Sequence, residues 1–530
     1  MPSIFHPPLH PTTGNRQRWS GLHGTAAALA LANAQQQHQG VLLVVTEDAA
    51  SARQLQREMQ FFGDNSLRVL NFPAWETLPY DSFSPHQDII SERLAALSQL
   101  LSGEPCTLVL PVASLMNRLP PRDFIAGQVF DVKTGDAFHV HSTRQKLESC
   151  GYRCVDTVNE HGEFAVRGAV MDIFPAGSEL PYRIDLFDDC IESLRSFDPE
   201  TQRTIEKVPS IRLLPAREFL LTKSGINTFL DRWHARFIHS DPKKSALYQD
   251  IASGIASPGA EYFLPLFFEQ CAQLLDYLPS NCLIAQAGNI HAAAEKYQLD
   301  IRARYDSLHL EQYRPLLKPH EAFVPTEELF ARLKNFAGID CFSEDASAAD
   351  LGSQPVPDIA LHARETQPLA PLQQFLAQHS GTRLLVCAES AGRAEALHTL
   401  FAQQQLPLKN AQHWQDFLSS HEPAQLTQAS LDRSLWLPAE KLLLLSESQL
   451  FGQQVLQQRR RKQQVDAADN AIKHLNELSL GAPVVHLEHG VGRYHGLINL
   501  DIGGATGEFL HLRYAGDASL YVPVTSLHLI

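Results

Sequence analysis

No run of eighteen consecutive apolar residues occurs in the chain, so nothing in it reads as a membrane-spanning helix. The opening stretch, MPSIFHPPLHPTTGNRQRW, lacks the apolar core of a secretory signal. Cysteine is sparse and scattered. Cys106, Cys150, Cys154, Cys190, Cys271, Cys282, Cys341 and Cys387 form no C-x-x-C, and the closest pair, Cys150 and Cys154, stands four apart. That pattern reads as buried thiols in a reducing compartment, and a cytoplasmic protein is expected. Basic residues are in deficit: 44 Lys and Arg against 59 Asp and Glu give a net charge of −15. So acidic a surface is a poor general platform for DNA or RNA, because phosphate binding rests on clustered Lys and Arg. It does suit a protein that meets basic patches on other proteins.

Catalytic constellations are missing as well. There is no G-x-S-x-G, and no cysteine sits in a recognisable nucleophile context. His139 and His141 alternate on a possible strand, and His486 and His489 lie three apart. Neither pair has a third ligand at metal spacing, so surface or core histidines are expected and no metal. Asp188 and Asp189 read as turn residues rather than an acid/base pair.

What the chain does have is ordinary globular composition, with 530 residues, 44% of them hydrophobic and 19% charged. That length predicts roughly three to five domains. Near the start, SGLHGTAAALALANAQ (Ser20 to Gln35) stands where a phosphate loop would stand. The pattern G-x-x-x-x-G-K-[ST] begun at Gly21 wants Gly, Lys and Ser or Thr where the chain has Ala26, Ala27 and Ala28. Alanine supplies neither the charge that meets phosphate nor the hydroxyl that holds Mg²⁺. Ala26 also adds a Cβ where the backbone must curl close. The alanine run is good helix chemistry, so a plain strand–helix start accounts for Gly21, Gly24 and the three alanines equally well.

The organisation reads α/β at first. VLLVV (Val41 to Val45), LRVLNFP and TLVLPVASL are strand-like, and helical runs with Leu55, Met59 and Phe62, or Ile90, Leu94, Leu97 and Leu101, on one face separate them. That alternation implies a parallel sheet. From about Phe130 short alternating strands take over, with a hairpin tip at Phe187 to Asp189. Asp231 to Leu308 is helix-rich and is expected to return to the first domain. SEDASAADLGSQPVPD (Ser343 to Asp358) reads as a linker or an exposed edge. TRLLVCAESAGRAEAL then echoes VLLVVTEDAASARQL, a second strand–helix start. The run Arg459 to Lys462 lies in a polar helix or tether; it could meet phosphate or be a solvated connector. The last fifty residues, Gly-rich with alternating strands, predict a five-stranded barrel of the SH3 or Tudor type. The chain ends on Leu529-Ile530 just after it, which suggests a truncated piece rather than a natural terminus.

Two kinds of motif carry a resemblance. GEFAVRGAVMDIFPAGSELPYRIDLFDDCIESLRSFDPETQRT, Gly162 to Thr204, resembles the segment of the excision-repair protein UvrB that docks UvrA. FPAWETLPYDSFSPHQDIISERLAAL and PVVHLEHGVGRYHGL resemble the bacterial transcription-repair coupling factors (the Mfd family). The resemblance covers essentially the whole chain, in order. It implies a UvrB-like α/β domain in two parts, 1–127 and 214–345. Between them it implies a β-rich UvrA-binding domain at 128–213. A small α/β domain of unknown role is expected at 346–452, a helical linker at 453–480, and an RNA polymerase-interacting barrel at 481–530. In the family, GLHGTAAA stands in register with UvrB's phosphate loop, and Ala27 replaces its Lys. UvrB's DNA-clamping β-hairpin has no counterpart in this sequence. The resemblance therefore implies an adaptor without enzyme activity or cofactor of its own. The ATP- and Mg²⁺-dependent translocase, and most DNA binding, are expected beyond residue 530. An active UvrB-like DNA-repair ATPase is the alternative reading.

Partner residues come from the same resemblance. Arg167, Arg183 and Phe187 match UvrB positions that meet UvrA, and Arg183 and Phe187, four apart, share one face of a strand. Core packing under the hairpin is the other reading for Phe187. Arg183→Glu is expected to abolish UvrA binding with the fold unchanged. Leu500 matches the family's key leucine for the RNA polymerase β subunit, with Ile498 and Leu497 beside it. The alternative is that Leu500 is core and Leu497 or Asn499 faces out.

Overall fold

The computed structural model describes residues 3–10, 12, 14–64, 67–310, 314–361, 367–451, 481, 483–486, 490–502, 505–514 and 519–523. The expected linker at 453–480, with Arg459 to Lys462, lies outside the described residues. Two compact units are present: Met1–Trp75 with His86–Val455, and Glu76–Pro85 with Leu456–Ile530.

The larger unit opens with β1 (Arg16–Ser20), α1 (Ala26–His38), β2 (Val41–Thr46), α2 (Ala49–Gly63), β3 (Val69–Asn71), α3 (Gln87–Ser102) and β4 (Cys106–Pro111). Val41–Thr46 and Cys106–Pro111 are buried at every position, as strands covered on both faces must be. The chain then runs through β5 (Phe130–Lys133), β6 (Arg153–Cys154), β7 (Glu163–Arg167), β8 (Val170–Phe174), β9 (Tyr182–Phe187), β10 (Cys190–Phe197), β11 (Thr204–Lys207) and β12 (Ser210–Leu213). It returns with β13 (Leu283–Ala287), β14 (Ala337–Cys341) and β15 (Ala349–Asp350). The first sheet has the order β15-β1-β14-β13-β2-β4-β3, and every pairing in it is parallel. Strands from both sides of the β-rich segment thus share one sheet. The β-rich segment makes its own sheet, β11-β10-β9-β8-β7-β6, antiparallel except at β6–β7, with β12 and β5 paired beside it.

A third sheet comes next: β16 (Arg383–Ala388), β17 (Lys409–Asn410), β18 (Ala424–Gln428), β19 (Leu435–Leu437) and β20 (Leu442–Ser446), in the order β17-β18-β16-β20-β19. The echo between its start and the start of β2–α2 is structural. Asp48 caps α2 by accepting from Ser51 N–H, and Ser390 caps the helix Ala391–Gln403 by accepting from Arg393 N–H. The third sheet shares one hydrophobic core with the first: Leu29, Leu31, Met59 and Phe62 pack in the same cluster as Trp414, Leu431, Leu435 and Leu444. Phe62 and Trp414 meet edge to face at 5.0 Å.

The smaller unit holds β21 (Pro483–His486), β22 (Gly490–Ile502), β23 (Ala505–Arg513) and β24 (Ser519–Pro523), an antiparallel meander. Val484, Tyr494, Leu510, Leu512 and Val522 form its core, and Phe83 packs against them. The sequence predicts five short strands closing into a barrel. Among the described residues there are four, and β22 alone is thirteen residues long. Gly490, Gly492 and Gly496, which read as turn residues, lie inside β22. Gly496, at φ 112°, sits where the register with β23 shifts, between Tyr494 and Leu497, and a glycine-bearing bulge bends the strand without ending it.

Candidate docking surface and candidate phosphate loop

The loop between β1 and α1 comes after a parallel strand and opens a helix, the setting a phosphate loop requires. Gly21 (φ 65°) and Gly24 (φ 60°) take left-handed conformations that suit glycine. Yet four of the loop's amides, those of Gly21, His23, Thr25 and Ala26, donate to protein oxygens. Gly21 N–H donates to Ser343 O, Thr25 N–H to Ser434 O at 3.2 Å, and Ala26 N–H to His23 O. His23 N–H donates to Ser353 Oγ at 2.8 Å, while Ser353 Oγ donates to Gly21 O. A Cβ at Gly21 would strike the Asp350 carboxylate, and one at Gly24 would strike Ser434 O. Ala26 and Ala28 are fully buried. The segment Ser343 to Asp358 is thus a sheet edge, not a free linker. It supplies β15 beside β1 and then folds Ser353 under the loop.

Ser434 arrives on an arm of the third sheet, and ion pairs anchor that arm to α2. Arg433 Nε and Nη2 donate to the two oxygens of Glu58 at 3.0 and 2.7 Å, and Arg57 pairs with Asp432 at 3.0 Å. Glu58 is buried, and burial holds its carboxyl above the usual range despite Arg433 and Gln54.

The six-stranded sheet carries the second candidate. One face packs Phe164, Met171, Ile173, Ile184, Leu186, Ile191 and Leu194 into a core. The opposite face carries Arg167, Asp172, Arg183, Asp185, Ser193 and Arg195, as strand alternation dictates. Asp172 is the hub. Its side chain has 0% exposure, Arg183 Nε donates to Oδ1 at 2.7 Å and Arg183 Nη2 to Oδ2 at 3.0 Å, and Arg167 Nη2 also reaches Oδ2. The Arg183 guanidinium lies 4.9 Å from the ring centre of Phe197. Arg195, directly opposite Arg183 in the register, is neutralised by Asp185 at 2.6 Å. Phe187 ends β9 at the expected hairpin tip and is 70% exposed, so it is not core. Asp188 turns the chain at φ 51°, a conformation aspartate tolerates.

The structure thus brings Arg167, Arg183 and Phe187 to one end of one face. Asp172 and the Asp185–Arg195 pair are not singled out by the sequence motifs. A signal for Asp172 exists all the same: it stands mid-strand between Met171 and Ile173, where a lone carboxylate must find cations.

On β22, Leu497 pairs with Leu510 and packs against the small core, while Ile498 is half-buried opposite Phe509. Leu500 stands opposite Gly507; its side chain lies outside the described residues. His141 lies in the helix Val140–Ser149 rather than on a strand, and His139, just before that helix, faces Asp189 at 3.4 Å. No cluster able to hold a metal ion occurs among the described residues.

Three family models match. The UvrB interaction domain covers residues 130–219, the MFD, D3 domain covers 375–450, and the CarD-like/TRCF RID domain covers 478–530. The transcription-repair-coupling factor of Escherichia coli K12 is 41% identical across 100% of this chain, and that of Haemophilus influenzae Rd is 39% identical across 100%. Over its whole length the chain is similar to these transcription-repair-coupling factors. A Myxococcus xanthus coupling factor matches 98% of the chain at 29% identity. The chain spans a little under half the length of these coupling factors, 46% for the first two. Within the coupling-factor match, the arginine–aspartate face falls inside the UvrB interaction domain. The arm bearing Ser434 falls inside the D3 domain.

Proposed function

We propose that this chain is the adaptor part of a transcription-repair coupling factor, recruiting UvrA through the outer face of the six-stranded sheet. The observation that carries the reading is Phe187, 70% exposed at a hairpin tip on the same face as two arginines that share a buried carboxylate. An exposed aromatic beside arginines is a frequent hot-spot composition, and such residues can each contribute about 2 kcal/mol or more. The RNA polymerase contact, through the β subunit, falls to β22, with Ile498 and Leu500 as anchors and Leu497 turned toward the sheet's own core. An extended strand can join another protein's sheet edge, where backbone pairing gives affinity and side chains give specificity.

This chain hydrolyses no nucleotide in that reading. The loop amides of Gly21, Thr25 and Ala26 are already directed at Ser343, Ser434 and His23, and Ala27 offers no cation. ATP, Mg²⁺ and most DNA binding then belong to a translocase part of a longer protein. Displacement of stalled polymerase belongs to that longer protein as well.

The reading is tested by titrating UvrA into the chain and into Arg167→Ala and Phe187→Ala variants. Both substitutions are expected to weaken binding at least about tenfold, each a loss of about 1.4 kcal/mol. Unchanged affinity in both removes this face from the UvrA contact. In parallel, Leu500→Arg is expected to lose a polymerase β-subunit fragment in a pull-down.

A further inference from the structure

Asp172 is withdrawn from water in the middle of β8, and its two oxygens take three donors from two arginines on two neighbouring strands. Arg167, at the open end of β7, keeps 53% of its side chain exposed and needs no partner for its own solvation. Arg183, at 20% exposure, is gripped through both Nε and Nη2 and backed by Phe197. A free arginine samples many rotamers, and ordering one on binding costs affinity. A guanidinium already fixed by a buried carboxylate meets its partner with that ordering done. The shared Oδ2 also couples the two side chains: whatever moves Asp172 moves both.

We propose that Asp172 is the positioning residue of this docking surface. It holds Arg167 and Arg183 as a preformed pair for an acidic patch on the partner, and it makes no contact with the partner itself. Arg195, opposite Arg183 and held by Asp185, whose Oδ2 also accepts from Ser193 Oγ, extends the same array. The proposal rests on the UvrA reading above, and its test separates the two.

Asp172→Asn keeps the shape and one acceptor oxygen but places an amide donor against a guanidinium. UvrA affinity is measured for the full chain, for Asp172→Asn, for Arg167→Ala and for the double variant, with melting recorded for each. The expected result is a loss of about tenfold for Asp172→Asn, shrinking to about threefold or less when Arg167 is already alanine. An equal loss in both backgrounds, or none in either, overturns the positioning role. Unchanged affinity in Arg167→Ala and in Phe187→Ala overturns the docking reading instead. Should Asp172→Asn melt below the assay temperature, the unmutated chain answers by arginine-selective ¹⁵N labelling. Slow exchange of the Arg183 Nε–H supports a fixed guanidinium, and exchange at the rate of free arginine contradicts it.

Discussion

Glu58 and Asp172 are both carboxylates taken out of water, and arginine meets each, but to different ends. Burial pushes Glu58 upward, so its folded form holds a proton at pH values where the unfolded form has lost it. Stability therefore falls as pH rises through the window above the ordinary carboxylate range. Removing Arg433 leaves the carboxylate buried and unpaired. Arg433→Ala is expected to cost about 3 kcal/mol near neutral pH and clearly less at acid pH, where Glu58 takes up a proton. Glu58→Gln is expected to be nearly neutral and to flatten that slope. Melting curves of the two variants across pH check both; an Arg433→Ala loss that grows with acidity contradicts the sign. Charge reversal at Arg183, which the sequence alone recommends as a clean probe, is not one. It would set a second carboxylate against Asp172, so lost binding would be mixed with lost stability. Phe187→Ala is the cleaner probe, with melting expected to stay within about 0.5 kcal/mol of the parent, as for other surface changes.

The β1–α1 loop has the outline of a phosphate loop with several of its amides already partnered. Strand, glycines and helix are where a phosphate loop has them, and Ser434 O and Ser353 Oγ accept from the amides of Thr25 and His23. Gly24→Ala combines a left-handed backbone with a collision at Ser434 O and is expected to cost about 2 kcal/mol or more, read as a lower melting temperature. Installing the full motif by Ala26→Gly, Ala27→Lys and Ala28→Thr together is expected not to create micromolar Mg-ATP binding by calorimetry, because the Gly21, His23 and Thr25 amides remain occupied. Saturable binding in that variant contradicts this account of the loop. Little of it is legible in sequence. The missing Lys is plain at Ala27, but the acceptor Ser434 lies some four hundred residues away. β1 itself does not announce a strand, because Arg16 and Arg18 sit in it and are satisfied by Asp340 and Asp345 from distant segments. By contrast β2 and β4 are continuous apolar runs and are plain at sight. The motif FPAW is legible as a family mark but not as a device. Phe72 and Trp75 flank the buried Arg93, which reaches Pro73 O and pairs with Glu218 at 2.6 Å.

At the scale of the molecule, the α/β sheet is a frame interrupted by a sheet that faces outward, and the D3 segment, whose role the sequence leaves blank, closes the frame's loop and shares its core. The candidate site is legible as residue types, since Arg167, Arg183 and Phe187 stand out by their resemblance to the UvrA-docking segment of UvrB. It is not legible as geometry: the hairpin exposes Phe187 where core packing is an open alternative in sequence, and the carboxylate joining the arginines comes from a third strand. The C-terminal meander misleads in sequence, since glycines that read as turns lie within one long strand. The claim that unites these observations is that the chain holds UvrA by this outward face. Calorimetric titration of UvrA into the full chain, beside the same titration into Phe187→Ala, tests it most directly. The account predicts saturable binding to the parent and at least about a tenfold loss in the variant, with identical melting. No binding to the parent, or equal affinity for a folded Phe187→Ala chain, would contradict it.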